Sequence, residues 1–256
     1  TNPCSEIILR SREFCNLSEV VIRHNDTRES LRDKVRIATI LGTFQSTLTN
    51  FKYLSKEWQR NCEEERLLGV SLTGIMDSPL TNGSKDTKKL LNELREVAVK
   101  TNIEYAEKLG IERSASITCV KPSGTVSQLV DSASGIHARH NPYYIRTVRA
   151  DNKDPLCKMM KAKGFPNEPD VTKPEHTTVF SFPAKSPKGA ICRKDMTAWK
   201  QLSLWHTYAK EWCEHKPSVT VSVKEDEWVN TSAWVYDNFD DISGISFLPF
   251  SDHTYK

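Results

Sequence analysis

The sequence is short of the features that mark a disulfide-rich or zinc-stabilised protein. It has an odd number of cysteines, and no two of them form a C-x-x-C pair. The seven are Cys4, Cys15, Cys62, Cys119, Cys157, Cys192 and Cys213. A secreted disulfide framework is therefore not expected in a chain of this length, and a structural zinc site lacks closely spaced ligands. Most of these thiols are expected to be small buried hydrophobic side chains.

Net charge and long apolar runs are also scarce. The 36 Lys and Arg residues nearly balance the 33 Asp and Glu residues, which leaves a net charge of +3. A nucleic-acid-binding surface usually concentrates basic residues on one face, so no nucleic-acid partner is expected. The sequence has no apolar run of membrane-span length and does not open with a signal peptide. We therefore expect no membrane association and a cytoplasmic location.

What the sequence does contain is typical of a folded α/β protein. Its 256 residues are 38% hydrophobic, enough to bury a core. Strands are predicted at 6–10, 14–22, 67–72, 115–120, 143–148, 177–182, 218–223 and 244–248, and helices at 27–60, 84–109, 123–129, 154–163 and 195–214. This alternation predicts mainly parallel strands. Asp26 and Glu29 fit a capping box for the first helix, and Gly110 is placed to end the second.

Two further segments bear on the organisation of the chain. The Pro- and Lys-rich stretch 165–191 is predicted to be a loop excursion within the same domain. The chain begins with Thr1 and stops at Lys256, shortly after a predicted strand. We expect it to be a segment of a longer protein.

The most informative motif lies at the start of the chain. Asn2-Pro3-Cys4-Ser5-Glu6 is followed closely by Phe14-Cys15-Asn16-Leu17. On an extended segment Cys4 and Glu6 would point to the same face, and a paired second strand could bring Cys15 to that site. Such a set offers a sulfur for hydrogen-atom abstraction, a carboxylate base and a second sulfur for reduction. The alternative is two buried core thiols and a solvated glutamate.

A second motif lies between a predicted strand and a short predicted helix. Lys121-Pro122-Ser123-Gly124-Thr125-Val126-Ser127 combines a glycine with three hydroxyl side chains. Free N–H groups at a helix start attract anions, so the turn suits phosphate groups. The alternative is an N-cap serine of an ordinary helix.

Two other stretches are given no catalytic role. His137 and His140 follow the short helix, and satisfied histidines are commoner than metal ligands at such positions. The stretch 199–213 places aromatic residues at helical spacing, which favours core packing over a cofactor site. No metal site is predicted.

Together these motifs resemble the ribonucleotide reductases. N-P-C-x-E followed by C-N-L is similar to the active-site finger loop of that family, and P-S-G-T-x-S to its phosphate-binding turn. The short gap between Cys4 and Cys15 resembles the monomeric adenosylcobalamin-dependent form more than the forms with a separate metal-radical subunit. Gly135-Ile136-His137 and the stretch 243–249 also resemble this family. Ser5 departs from the family, which usually has Gly there.

The resemblance implies a role for each matching residue. Cys4 would carry the thiyl radical that removes the ribose 3′ hydrogen, Glu6 would act as base on the 3′-hydroxyl, and Asn2 would hold the sugar. Cys15 would be one of two reducing thiols, its partner lying upstream of this segment. The substrate phosphates would contact Ser123, Gly124, Thr125 and Ser127, with a weaker case for added charge from Lys121.

The resemblance also implies a fold and partners. The fold would be a ten-stranded α/β barrel, of which residues 1–256 would supply the finger loop and much of the second half-barrel. Adenosylcobalamin would supply the radical. The expected partners are a ribonucleoside triphosphate substrate, a thioredoxin-like reductant, and deoxynucleotide effectors that bind outside this segment.

Two alternatives stay open at this point. One is a reductase of the ribonucleoside-diphosphate type whose radical comes from a separate di-metal subunit. The other is a nucleotide-binding fragment without catalysis, because the partner of Cys15 is absent from the sequence.

Overall fold

The computed structural model describes residues 1–251, which form two compact units. The first unit comprises residues 1–139 and 188 onwards, and the second comprises His140–Pro187. In chain order the elements are β1 (Asn16–Val21), α1 (Arg28–Gln45), α2 (Lys56–Glu65), β2 (Leu68–Thr73), α3 (Thr87–Leu109), β3 (Thr118–Cys119), α4 (Thr125–Leu129), β4 (Tyr143–Asp151), α5 (Pro155–Ala162), β5 (Asn167–Pro169), β6 (Thr177–Lys185), α6 (Ala198–Glu211), β7 (Val219–Val223), α7 (Trp228–Asp237) and β8 (Ile245–Pro249).

Parallel strands form the framework of the first unit. β1 pairs with β2 and β2 with β3, in a register that aligns Glu19, Ser71 and Cys119 across the three strands. β7 and β8 form a second parallel pair. A parallel bridge between Val120 and Pro217 connects the two sheets, so five parallel strands follow one another in the order β1, β2, β3, β7, β8.

Helices cover one face of these strands because their apolar stripes need burial. α1 contributes Leu31 and Val35, and α3 contributes Leu90 and Leu94, all fully buried. Every residue of β2 is buried, as expected for a central parallel strand. Each fully buried leucine or valine contributes about 1.5–3 kcal/mol to the stability of the fold by leaving water. The helices therefore pack against one face of the sheet. The other face carries the polar residues described below.

Three of the aromatic residues at 199–213 are part of the core, as the sequence indicated, whereas Trp199 is exposed. Trp205, Tyr208 and Trp212 are fully buried. Each satisfies its polar atom internally: Trp205 Nε1 donates to Pro217 O at 2.7 Å and Trp212 Nε1 donates to Cys119 O at 2.8 Å. The latter bond ties α6 to β3 through its main chain.

The second unit is antiparallel. β6 lies between β4 and β5, and the β4–β6 ladder runs from Tyr143 opposite Lys185 to Asp151 opposite Thr177. α5 begins with Asp154 as its N-cap, followed by Pro155 in its first turn. The prediction of mainly parallel strands is thus right for the first unit and wrong for this one. The stretch 165–191 also carries the whole of β5 and β6, so it is more than a loop.

Several predicted elements are corrected by the structure. Residues 6–10 are not a strand, because their backbone groups bond to loops: Lys216 N donates to Glu6 O, and Arg10 N donates to Glu13 Oε2. The strand predicted at 115–120 is reduced to β3 and the Val120 bridge. Helices 84–109, 154–163 and 195–214 and strands 67–72, 218–223 and 244–248 are confirmed within a few residues.

The first predicted helix is two helices. Ser46 Oγ donates to Thr43 O and Thr47 Oγ1 donates to Phe44 O. Because these carbonyl groups at the end of α1 accept from side-chain hydroxyls, the side chains compete with continuation of the helix. The capping box is also displaced by one residue. Thr27 is the N-cap and exchanges hydrogen bonds with Ser30, whereas Asp26 pairs with Lys34.

Candidate functional site

The loop that carries Cys4 and Glu6 is a tight turn. Ser5 N donates to Asn2 O at 3.0 Å, and Ser5 has a φ of 61°, in the left-handed region. Asn2 then closes the turn, because its Oδ1 accepts from Ile7 N at 3.2 Å and its Nδ2 donates to Glu6 Oε1 at 2.5 Å. The expectation that strand alternation aligns Cys4 with Glu6 is therefore wrong. A turn with a left-handed residue at its centre brings them together instead.

Lys121 joins the two predicted reactive groups. Its Nζ lies 3.4 Å from Cys4 Sγ and 3.2 Å from Glu6 Oε1. Partial burial lowers the pKa of Lys121, but its hydrogen bond and charge interaction with Glu6, assisted by Cys4, outweigh that effect and raise the pKa above its ordinary value. The ammonium therefore stays charged. Sequence reasoning assigned Lys121 to phosphate, whereas its side chain points to the Cys4 loop.

Glu6 has one satisfied and one unsatisfied oxygen. Its side chain is fully buried, and Oε1 accepts from both Asn2 and Lys121. Oε2 is buried and has no hydrogen-bond partner among residues 1–251. Since buried polar atoms are nearly always paired, this oxygen is a candidate acceptor for a ligand hydroxyl.

Cys15 lies on the sheet face next to this loop. A Cβ added to Gly69 would lie 3.3 Å from Cys15 Sγ and 3.4 Å from Cys119 Sγ, so both sulfurs occupy the space above this glycine of β2. Burial raises the pKa of Cys15 to about 12, helped by the negative charges of Glu6 and Glu13. The influence of Glu6 on Cys15 shows that the two predicted reactive residues share one environment. Cys15 is a protonated thiol there.

Cys119 belongs to the same cluster. It is fully buried, and burial raises its pKa well above the ordinary value, with further contributions from Cys213, Cys15 and Glu6. The sequence alone gave Cys119 no matching context. Its position two residues before Lys121, on a strand with period-two alternation, was the signal that both face the same side.

Glu19 is a second residue that sequence reasoning missed. It aligns with Ser71 and Cys119 across the sheet. Burial raises its pKa to about 7, although the charge of Lys121 acts in the opposite direction. Its Oε2 is buried without a hydrogen-bond partner within the part of the chain that the structure describes. The spacing of Cys15, Leu17 and Glu19 placed them on one strand face.

The predicted phosphate turn follows Lys121 directly. Lys121 N donates to Ser71 Oγ at 2.9 Å, and two residues later Ser123 Oγ lies 3.0 Å from Thr73 Oγ1. Gly124 has a φ of 53°, and an added Cβ would meet nothing within 4 Å. Gly124 and Thr125 are exposed, so they are accessible to an anion. Lys121 belongs to this turn and its side chain contacts the Cys4 loop, so the two segments are adjacent.

Ser127 differs from the other members of the turn. It is fully buried, and its Oγ donates to Gly124 O at 2.9 Å. The α4 helix begins at Thr125, two residues later than predicted, with Gly124 at the N-cap position. The structure therefore places Ser127 as a support for the turn, with its hydroxyl already committed.

A buried ion pair supports the loop that follows α4. Arg139 Nε and Nη2 donate to the two oxygens of Asp77 at 2.8 and 2.9 Å, and Nη1 donates to Asp131 Oδ1 at 2.8 Å. Asp77 Oδ2 also accepts from Ala133 N at 2.8 Å. Ser134, in the same loop, contacts Ser123 through their hydroxyl groups. This network fixes one side of the phosphate turn.

His137 is a satisfied buried histidine. Its Nδ1 lies 3.0 Å from Ser134 O and its Nε2 accepts from Thr220 N at 3.0 Å. Burial lowers the pKa of His137, so the ring is neutral with its proton on Nδ1. This role is structural. Within residues 1–251 no group of three or more His, Cys, Asp or Glu side chains is arranged to hold a metal ion, and no helix is long and apolar enough to cross a membrane.

The larger cavities do not coincide with the Cys4–Glu6 cluster. A cavity of about 480 Å³ lies beside α6 and is lined by Asn82, Trp199 and Lys200 among others. Another, of about 430 Å³, is lined by residues that include Asn102, and one of about 300 Å³ is lined by residues that include Cys15. None of these three cavities is lined by Glu6, so the chemistry of the side chains, and not cavity size, identifies the candidate site.

Comparison with known proteins relates this arrangement to one family. No protein-family model matches the chain. It is 30% identical over 253 residues to the adenosylcobalamin-dependent ribonucleoside-triphosphate reductase of Euglena gracilis, a match that covers 97% of this chain and 34% of that protein. It is 32% identical over 265 residues to the probable adenosylcobalamin-dependent ribonucleoside-triphosphate reductase of Dictyostelium discoideum, covering 99% and 33%.

A solved structure shows the same fold. The crystal structure of a B-12 dependent (class II) ribonucleotide reductase matches 100% of this chain and 39% of its own length, with a TM-score of 0.84 and 24% identity. The chain belongs to the ribonucleotide reductase family. Both relatives named above are the form called adenosylcobalamin-dependent, and the chain spans about a third of their length.

Proposed function

We propose that this chain is the radical-bearing part of the catalytic barrel of an adenosylcobalamin-dependent ribonucleoside-triphosphate reductase. The observation that carries the proposal is the Cys4–Glu6 cluster, in which Lys121 Nζ reaches both the partly exposed thiol and the buried carboxyl group. Glu6 Oε2 has no hydrogen-bond partner among residues 1–251. The names of both relatives support this form over a reductase with a separate di-metal subunit. The product would be a 2′-deoxyribonucleoside triphosphate.

The proposed architecture is a ten-stranded barrel, with residues 1–256 supplying the finger loop and the second half-barrel of one catalytic domain. The five successive parallel strands support this proposal, since they amount to half of such a barrel. The likeness to the class II structure supports it as well. The polar sheet face with Cys15, Glu19 and Ser71 would face the barrel interior, against the Cys4 loop.

The proposed chemistry assigns each group one step. The Cys4 thiyl radical takes the 3′ hydrogen of the ribose, while Glu6 Oε2 accepts the proton of the 3′-hydroxyl. Asn2 holds Glu6 through its side chain, and its proposed further role is to hold the sugar. Cys15 gives its proton to the departing 2′-hydroxyl, which leaves as water. Cys15 and an upstream cysteine then supply two electrons and end as a disulfide, while the proton of the second thiol goes to C2′. Glu6 returns its proton to the 3′ oxygen, and Cys4 returns the hydrogen atom to C3′.

The proton on Cys15 supports this assignment. A group that must protonate a leaving hydroxyl has to carry a proton at neutral pH, and burial together with the charge of Glu6 keeps the pKa of Cys15 at about 12. The proposed substrate phosphates contact Ser123, Gly124 and Thr125, and Ser127 contributes by holding the turn. Backbone N–H groups at the start of a helix favour such anions.

The cofactor fits the exposure of the radical cysteine. Adenosylcobalamin, when bound, supplies the radical that oxidises the thiol. Cys4 is partly exposed whereas Glu6 next to it is fully buried, so the sulfur can be approached while the base stays dry. The proposed partners are a thioredoxin-like reductant for the disulfide and deoxynucleotide effectors that bind outside this segment. All seven cysteines are free thiols, which supports a reducing, cytoplasmic location.

The test uses the full-length parent enzyme with cofactor and a ribonucleoside triphosphate. A coupled cobalt(II)–thiyl signal in electron paramagnetic resonance, lost in Cys4→Ser together with turnover, is the expected result. Cys157→Ser is the matched control, because Cys157 is a buried thiol of α5 in the other unit. Full turnover by Cys4→Ser would refute the radical assignment. Triphosphate binding without any turnover by the wild-type enzyme would favour a non-catalytic nucleotide-binding role.

A further inference from the structure

The Glu6 carboxylate is held asymmetrically. Asn2 Nδ2 and Lys121 Nζ both donate to Oε1, at 2.5 and 3.2 Å. Oε2 receives no hydrogen bond from residues 1–251 and is buried. Two donors on one oxygen fix the rotation of the carboxylate and leave the other oxygen available. The choice of the reacting oxygen is therefore made by Asn2 and Lys121.

Lys121 is itself held in place by the sheet. Its backbone N–H donates to Ser71 Oγ at 2.9 Å, on the central strand β2. Its side chain is 28% exposed, whereas that of Glu6 is 0% exposed. A fully buried carboxylate without a cation beside it is strongly disfavoured. The lysine supplies that cation from a rigid position, and the same Nζ lies 3.4 Å from Cys4 Sγ.

Resting on the proposed function, we propose that Lys121 is a positioning residue of the reaction, which holds the Glu6 carboxyl group with Oε2 directed to substrate and keeps Cys4 beside it. The groups that face its ammonium are Cys4 and Glu6 from the loop and Glu19 from β1, with Cys119 nearby on its own strand. Lys121 is also the first residue of the phosphate turn. One residue therefore contacts the Cys4 loop, where the sugar would bind, and adjoins the proposed phosphate site.

A positioning residue and a phosphate contact affect different kinetic constants. Removal of a phosphate contact weakens substrate binding and raises KM. Removal of a cation beside the base leaves binding intact, slows the proton-transfer step and lowers kcat. A second cation at the same position, as in Lys121→Arg, should therefore restore kcat, whereas a neutral side chain of similar length should not.

The experiment compares Lys121→Met and Lys121→Arg in the full-length holoenzyme. We expect Lys121→Met to lower kcat by roughly 100-fold, within the range seen for acid–base catalysis. KM and the binding of ribonucleoside triphosphate in the absence of cofactor should change less than about threefold. Lys121→Arg, which keeps the charge, should restore much of kcat.

Lys34→Met is the matched control, since Lys34 also pairs with a carboxylate, that of Asp26 at 2.7 Å, but on α1. An unchanged kcat in Lys121→Met, or a rise in KM alone, would overturn the inference. If Lys121→Met does not fold, Lys121→Gln and Lys121→Arg decide, because only the neutral variant should lower kcat. Failure of the proposed function would be seen separately, as absent turnover in the wild-type enzyme or as full turnover in Cys4→Ser.

Discussion

Arg139 and Asp77 form a two-bond ion pair in which the side chains are only 3% and 2% exposed. The pair connects the segment after β2 with the loop after α4, because Asp77 also accepts from Ala133 N. An ion pair this deep contributes more to position than to net stability, but removal of Asp77 takes two charge-assisted hydrogen bonds from the buried Arg139 guanidinium. The ion pair therefore holds both the loop after α4 and, through that loop, the phosphate turn.

Asp77→Ala should therefore destabilise the protein by about 3–5 kcal/mol. It should also weaken binding of the triphosphate, since Ser134 in the supported loop contacts Ser123 of the turn. Urea unfolding and equilibrium nucleotide binding measure the two effects. Arg60→Ala, which removes a surface pair with Glu64, is the control and should change neither. Unaltered stability of Asp77→Ala would show that the pair is dispensable.

Gly69→Ala tests the sulfur site above β2. The added Cβ would lie 2.4 Å from Leu17 Cδ2 and 3.3 Å from Cys15 Sγ, so both side chains must move. We expect a loss of about 1–3 kcal/mol from overpacking, and a fall in turnover larger than the change in substrate binding. Gly42→Ala in α1 is the control, because its Cβ would make only ordinary contact with Leu68. Normal turnover in Gly69→Ala would separate Cys15 from the reaction.

The thiol of Cys15 should be unreactive toward alkylation. With its pKa at about 12, only about one in ten thousand molecules carries a thiolate at pH 8, against roughly one in ten for an ordinary thiol. Mass spectrometry after iodoacetamide treatment at pH 8 measures this. Glu6→Gln should speed the labelling of Cys15, because the charge of Glu6 is one cause of the raised pKa. Rapid labelling in the wild-type protein contradicts the prediction.

Glu19 should make stability fall as pH rises. Its folded-state pKa of about 7 is above the unfolded value, so the folded protein binds an extra proton between about pH 4.5 and 7 and loses that advantage above it. Glu19→Gln should be more stable than wild type at pH 8, by up to about 2 kcal/mol given its partial exposure, and not at pH 4. Urea unfolding at both pH values measures the difference.

Glu63→Gln provides the opposite sign as a control. Hydrogen bonds from Thr49 and Gln59 lower the pKa of Glu63, so its removal should cost stability at pH 8. A Glu19→Gln effect that does not depend on pH would count against a raised pKa at Glu19.

Ser5→Gly should stabilise the Cys4 turn. Ser5 has a φ of 61°, a conformation that costs a residue with a Cβ about 1–2 kcal/mol and costs glycine little. We expect a net gain of up to about 1 kcal/mol, because glycine also loses more entropy on folding. Thermal unfolding measures it, with unchanged turnover expected. Ser222→Gly in the extended strand β7 should instead destabilise. A less stable Ser5→Gly would mean that the serine hydroxyl matters.

Local sequence patterns were sufficient for the long elements. α3 was predicted to within a few residues because its apolar stripe and Gly110 act within the helix itself. Residues 27–60 gave a single helical pattern, yet the hydroxyls of Ser46 and Thr47 end α1 early. The antiparallel pairing of β4 with β6 was not predictable either, because strand direction depends on the partner and not on local periodicity.

By itself, the sequence determined the proposed reactive residue types and their order, namely Cys4, Glu6, Cys15 and the turn 121–127, because those motifs are local. The tertiary structure decided which of them meet. Lys121, Glu19 and Cys119 join the site only because parallel strands in one register turn alternate side chains to a common face. That register brings together residues far apart in the chain, so no local pattern contained it.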